Sequence, residues 1–68
     1  MTLLQDAAAR LGELTVQLAV VETGEAPWPY AVVLVDPDTG DEIWRCRFAT
    51  REAAESDFAR RRTDYPER

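Results

Sequence analysis

Thr2-Leu3-Leu4-Gln5-Asp6-Ala7-Ala8-Ala9-Arg10-Leu11-Gly12, read against the Glu13-Leu14-Thr15-Val16-Gln17-Leu18-Ala19-Val20-Val21 that follows it, decides the fold. In the first stretch Leu4, Ala8 and Leu11 recur at i, i+4 and i+7, and three successive alanines favour helix. The pattern therefore predicts a short helix over residues 2–11. Thr2 with Gln5 has the form of a capping box, and Gly12 stands where a left-handed C-terminal cap is expected. From Leu14 the period changes to two. Leu14, Val16, Leu18 and Val20 share one face and Thr15, Gln17, Ala19 and Val21 the other, which predicts a strand.

Working outward, Glu22 to Pro29 breaks the pattern with one Gly and two Pro around Trp28 and is read as a loop. Tyr30 to Val35 is a β-branched run suited to a central strand. Asp36-Pro37-Asp38-Thr39-Gly40-Asp41 has the Pro and Gly placement of a tight hairpin turn. Residues 42–49 alternate again, with Trp44, Cys46 and Phe48 on the face assigned to the core and Ile43, Arg45 and Arg47 opposite. Thr50 is a suitable N-cap for a helix from Arg51 to about Arg62, which carries acids in its first turn and Arg60, Arg61 and Arg62 in its last. Ala54 and Phe58 give that helix an apolar stripe, and Asp57 to Arg61 is a favourable i, i+4 pair. The tail from Thr63 is expected to fray, with Tyr65 able to fold back. The expected architecture is α+β, in the order α-β-β-β-α: a three-stranded antiparallel sheet packed on a C-terminal helix, one domain over residues 1–68. The sheet face carrying Val33, Val35, Ile43, Arg45 and Arg47 then needs a cover, either the N-terminal helix or a partner.

Composition narrows the function. The chain has 68 residues, 13 Asp plus Glu, 8 basic residues that are all Arg, one Cys, no His and a net charge of −5. Such a chain has little room for a deep substrate cleft. One Cys without His excludes a disulfide framework, a zinc finger and His-dependent nucleophilic catalysis. The acidic balance argues against direct nucleic-acid binding, which needs cations concentrated on one surface. Apolar residues at 46% speak against wholesale disorder. No stretch approaches the roughly 18 apolar residues of a membrane span, and no basic start marks a signal peptide. The expected location is the bacterial cytoplasm, which also suits the lone Cys46, read here as a small core residue.

The charge is uneven. Residues 1–42 hold eight acids and one base, residues 43–68 five acids and seven bases. Asp36, Asp38, Asp41 and Glu42 cluster around the predicted hairpin, and Glu22 and Glu25 flank Trp28 in the other loop. Turn formation explains the aspartates by itself. Functionally, they form a row of carboxylates able to meet a basic partner and compete for a phosphate-binding groove. Trp28 between Pro27 and Pro29 is either a lid on the core or a stiffened interface anchor. The aspartate spacing lacks the later bidentate Glu of a calcium loop, so no metal is assigned. No cofactor or catalytic residue is assigned either: the acids sit in turns, where nothing raises a carboxyl pKa.

The run Asp36-Pro37-Asp38-Thr39-Gly40, followed by Trp44 and by Phe48-Ala49-Thr50-Arg51-Glu52-Ala53-Ala54 with Phe58, resembles the end of an AP2-type DNA-binding domain and the arm-binding domains of phage integrases. That resemblance implies a three-stranded sheet lying in the major groove, backed by a helix, with Arg45 and Arg47 as DNA contacts. The chain departs from it in residues 14–21 and 30–35, which hold no basic residue. In size and acidity the whole chain is similar to small phage-encoded inhibitors of the anti-CRISPR type. This second resemblance implies a non-enzymatic inhibitor that binds a CRISPR surveillance complex, or another basic nucleic-acid-handling complex, and blocks its DNA-binding surface. The expected contacts are Asp36, Asp38, Asp41, Glu42, Glu22, Glu25 and Trp28. Two other readings stand beside it: a small DNA-binding module using Arg45, Arg47 and the Arg60 to Arg62 cluster, and a structural homodimer pairing its uncovered sheet faces.

Overall fold

A computed structural model describes residues 2–65. Its elements run β1 (Thr2–Leu11), β2 (Leu14–Glu22), β3 (Tyr30–Val35), β4 (Glu42–Phe48) and α1 (Arg51–Asp64). The strands form one antiparallel meander in the order β1-β2-β3-β4. This overturns the expected α-β-β-β-α order with its three-stranded sheet: the chain is β-β-β-β-α, and residues 2–11 are a strand, not a helix.

The reason lies in what alanine does not encode. Ala7, Ala8 and Ala9 satisfy a period of 3.6 and a period of 2 equally well. A lone ten-residue helix is marginal in water, so its fate rests on tertiary partners. As a strand the same residues pair with β2 from Thr2↔Glu22 to Leu11↔Leu14, with a bulge at Leu4. Ala9, with Leu4, Ala7 and Leu11, then joins the core cluster. Gly12 keeps its positive φ of 63° but spends it on the two-residue turn to β2 rather than on a helix cap.

The other elements follow the sequence pattern. Val16, Leu18 and Val20 of β2 and Val32 and Leu34 of β3 form the core with Ala54 and Phe58 of α1, and Trp44, Phe48 and Tyr65 pack around them. The helix lies across β2, β3 and β4. Full burial of a side chain such as Phe58 is worth about 1.5–3 kcal/mol, a large share of the stability a domain of this size commands. Thr50 caps α1, its Oγ1 accepting from the Ala53 N–H at 3.2 Å. The helix runs two residues beyond Arg62, so Thr63 and Asp64 are helical rather than frayed. Tyr65 folds back to lie 6.3 Å from the Trp44 ring, centroid to centroid. The rest of the tail expected to fray, residues 66–68, lies outside the described residues.

On the opposite face Ala19, Val21, Ala31 and Val33 form a second cluster with Val35 beside it. With β1 a strand, the first of the two covers expected for this face is gone, and no described element lies over it. No described helix is long and apolar enough to cross a membrane.

Candidate functional site

Pairing register lays out the open face as rows running from β1 to β4. One row is Leu3–Val21–Ala31–Arg47, the next Asp6–Ala19–Val33–Arg45, and the third Ala8–Gln17–Val35–Glu42. The floor of these rows is small and apolar, while polar or long side chains stand at the edges. Leu3, Gln17, Glu42 and Arg45 wall a depression of about 330 Å³ above Ala19 and Val33. At the β4 edge a bulge leaves Ile43 without a partner, and Glu42 and Arg45 meet in a bidentate pair with both contacts at 2.8 Å. The hydrogen bond from Arg45 holds the Glu42 carboxyl below the usual carboxylate range, with the Arg45 and Arg47 charges adding to it against a smaller desolvation cost. The same bond, assisted by the fields of Glu42 and Glu25, raises the Arg45 pKa although burial opposes it.

The structure divides the seven residues expected to bind a partner. Glu22 ends β2, Glu25 and Trp28 sit in the β2–β3 loop, and all three lie at one end of the sheet. Asp36, Asp38, Asp41 and Glu42 lie at the other end. The six residues of β3 between the groups correspond to about 20 Å. They form two groups at opposite ends of the sheet, with Arg45 between them under the fields of both Glu42 and Glu25. Glu42 also leaves the acidic row, its charge being matched by Arg45 within the chain.

What remains at the β3–β4 end is a well-tied turn. The Asp36 N–H donates to the Asp41 carbonyl at 2.8 Å and the Gly40 N–H to the Asp36 carbonyl at 2.7 Å. Asp36 Oδ1 accepts the Asp38 N–H at 2.9 Å, and Thr39 Oγ1 accepts the Asp41 N–H. Asp36 thus serves its own turn, whereas Asp38 and Asp41 are exposed. No three acidic or Cys side chains converge as metal ligands among the described residues. In the β2–β3 loop the Thr23 N–H and hydroxyl both donate to the Pro29 carbonyl, and the Trp28 N–H donates to the Glu25 carbonyl at 3.0 Å. The Ala26–Pro27 peptide in this turn is cis. Trp28 is 49% exposed and belongs to neither apolar cluster.

The Asp57–Arg61 spacing is legible in the sequence, but its depth is not. Asp57 is 8% exposed and accepts from Arg60 and Arg61, both at 2.6 Å. The Arg61 guanidinium lies 4.3 Å from the Trp44 ring centroid and donates to Cys46 Sγ at 3.3 Å. Burial pulls the Arg61 pKa down, but the hydrogen bond and charge of Asp57 more than offset it and leave it raised. This seam fastens α1 to β4, so Arg60 and Arg61 are engaged internally, and the Arg62 guanidinium lies 5.8 Å from the Phe58 ring centroid. Cys46 is half-buried in the seam rather than enclosed in the core. The signal that could have revealed the seam is the i, i+3 and i, i+4 placement of two arginines on one acid, facing an aromatic strand.

No family model, curated protein or solved structure matches this chain.

Proposed function

We propose that this protein is a non-enzymatic interaction domain whose β3–β4 turn docks on a basic surface of a nucleic-acid-handling complex and competes there with nucleic acid. The observation that carries the reading is the state of Asp38 and Asp41: exposed carboxylates on a turn whose backbone is already hydrogen-bonded, so little ordering entropy opposes binding. Asp36 supports the turn. Glu42 is excluded from the docking set by its Arg45 pair, and Glu22, Glu25 and Trp28 belong to a separate surface at the other end.

A CRISPR surveillance complex is the partner class to test first, given the resemblance in size and acidity. Immobilised protein is exposed to the purified complex with and without pre-bound target DNA, at low and high salt. Capture that DNA and salt both suppress, and that Asp38→Lys with Asp41→Lys abolishes, is the expected result. Capture unchanged in the double variant, with the same salt dependence, overturns the acidic-turn reading. A shift of duplex DNA by the protein alone at low salt would instead favour the Arg45/Arg47 module.

A further inference from the structure

The two edges of the sheet differ in how they are finished. β4 is short, bulged at Ile43 and carries Glu42, Arg45 and Arg47, the usual means of discouraging edge pairing. β1 is ten residues long and, although it too has a bulge, at Leu4, and carries the charges of Asp6 and Arg10, it has no Pro or Lys and is regular in register from Gln5 to Leu11. The helix makes its main contacts with β2, β3 and β4 rather than with this edge strand.

Register fixes which backbone groups β1 offers. Leu11↔Leu14 closes a two-residue turn and is a hydrogen-bonded pair, so Ala9, Ala7 and Gln5 also bond inward to β2. Asp6, Ala8 and Arg10 therefore turn their N–H and C=O groups outward, and their side chains stand on the open face. An antiparallel second strand has to pair through these three residues. Two copies related by a two-fold axis at Ala8 set Ala8 against Ala8 and Asp6 against the Arg10 of the other copy, twice. Moving the axis to Asp6 or to Arg10 sets like charges opposite each other, and the intermediate positions set each charge opposite an apolar side chain. The edge is thus self-complementary in one register. Asp6 already accepts from Gln17 and retains lone pairs for a further donor, while a guanidinium has five N–H donors to share.

We propose that the β1 edge is a homodimerisation site at which two copies form a continuous eight-stranded sheet, centred on Ala8 and held in register by reciprocal Asp6–Arg10 pairs. The two helices then lie on the same side of the joint sheet. The Asp38 and Asp41 carboxylates take no part in this pairing, so the proposal stands independently of the function above.

Sedimentation equilibrium of the full chain over a wide concentration range tests it. The expected result is a reversible dimer. Asp6→Arg alone and Arg10→Asp alone each weaken it about tenfold or more, because each places like charges opposite one another at both junctions. An equimolar mixture of the two variants recovers association, since each then supplies the opposite charge to the other. Ala8→Pro, which removes an outward N–H from an edge position, yields monomer with an unchanged far-ultraviolet spectrum. A wild-type chain that stays monomeric overturns the proposal. So does a dimer indifferent to Ala8→Pro, which would indicate pairing through the open face, or a mixture that fails to recover.

Discussion

The two faces of one sheet reach the same inaccessibility by different means. Val32 and Ala31 are adjacent in β3, and both have 0% exposure, yet only Val32 faces the helix. On the covered side large residues do the filling: Leu18, Leu34 and Phe58, with Trp44 at the margin. On the open side the floor is alanine and valine, lying between the longer side chains at the sheet edges. Packing against a helix is rigid on both sides of the contact, whereas packing beneath arginine and glutamate stems can readjust. Equal exposure therefore conceals unequal cost of change.

Substitutions that empty the covered face test this contrast most strongly. Phe58→Ala is expected to cost about 3–5 kcal/mol, enough to unfold most of a domain this small, and the loss of a cooperative thermal transition reports it. Asp57→Ala should cost about 2–3 kcal/mol by leaving the largely covered Arg61 guanidinium without its carboxylate. The near-ultraviolet signal of Trp44 should weaken with it as the seam loosens.

A matched pair sharpens the comparison. Val32→Ala on the covered side is expected to cost about 2 kcal/mol, and Val33→Ala on the open side roughly half as much, because the stems above it can settle into the space. Urea midpoints of the two variants measure the difference. Equal losses would show that the open face is packed as firmly as the covered one.

The smallest effect belongs to the open face's ion pair. Glu42 has its folded pKa lowered by Arg45, so its stabilisation is present above the unfolded carboxylate pKa and fades as pH falls through the folded value. Glu42→Gln should cost less than about 0.5 kcal/mol at neutral pH, given its exposure to solvent screening, and should flatten the acid side of the stability profile. Denaturant midpoints between neutral and acid pH, compared with wild type, read both.

Most of the fold is legible in the chain because its signals are local. The alternation of residues 14–21 and 30–35 gives β2 and β3, the Asp-Pro and Thr-Gly placement gives the hairpin, and Thr50 with Ala53 marks the start of α1. The strand β1 was not legible, since Ala7 to Ala9 fit either period and Gly12 serves a helix cap or a hairpin equally. At the proposed docking end, the exposure of Asp38 and Asp41 follows from their turn. The neutralisation of Glu42 does not, because it depends on the bulge at Ile43 that brings the Arg45 side chain beside it.

Periodicity, turn chemistry and capping act over a few residues, and they set three strands, one capped helix, the apolar side of each and the concentration of acid in two loops. Tertiary structure alone decided that residues 2–11 extend along β2, that the two acidic loops stand at opposite ends, and that Asp57 is buried beneath two arginines. Each of those outcomes depends on a partner distant in sequence, whose position exists only once the sheet has formed.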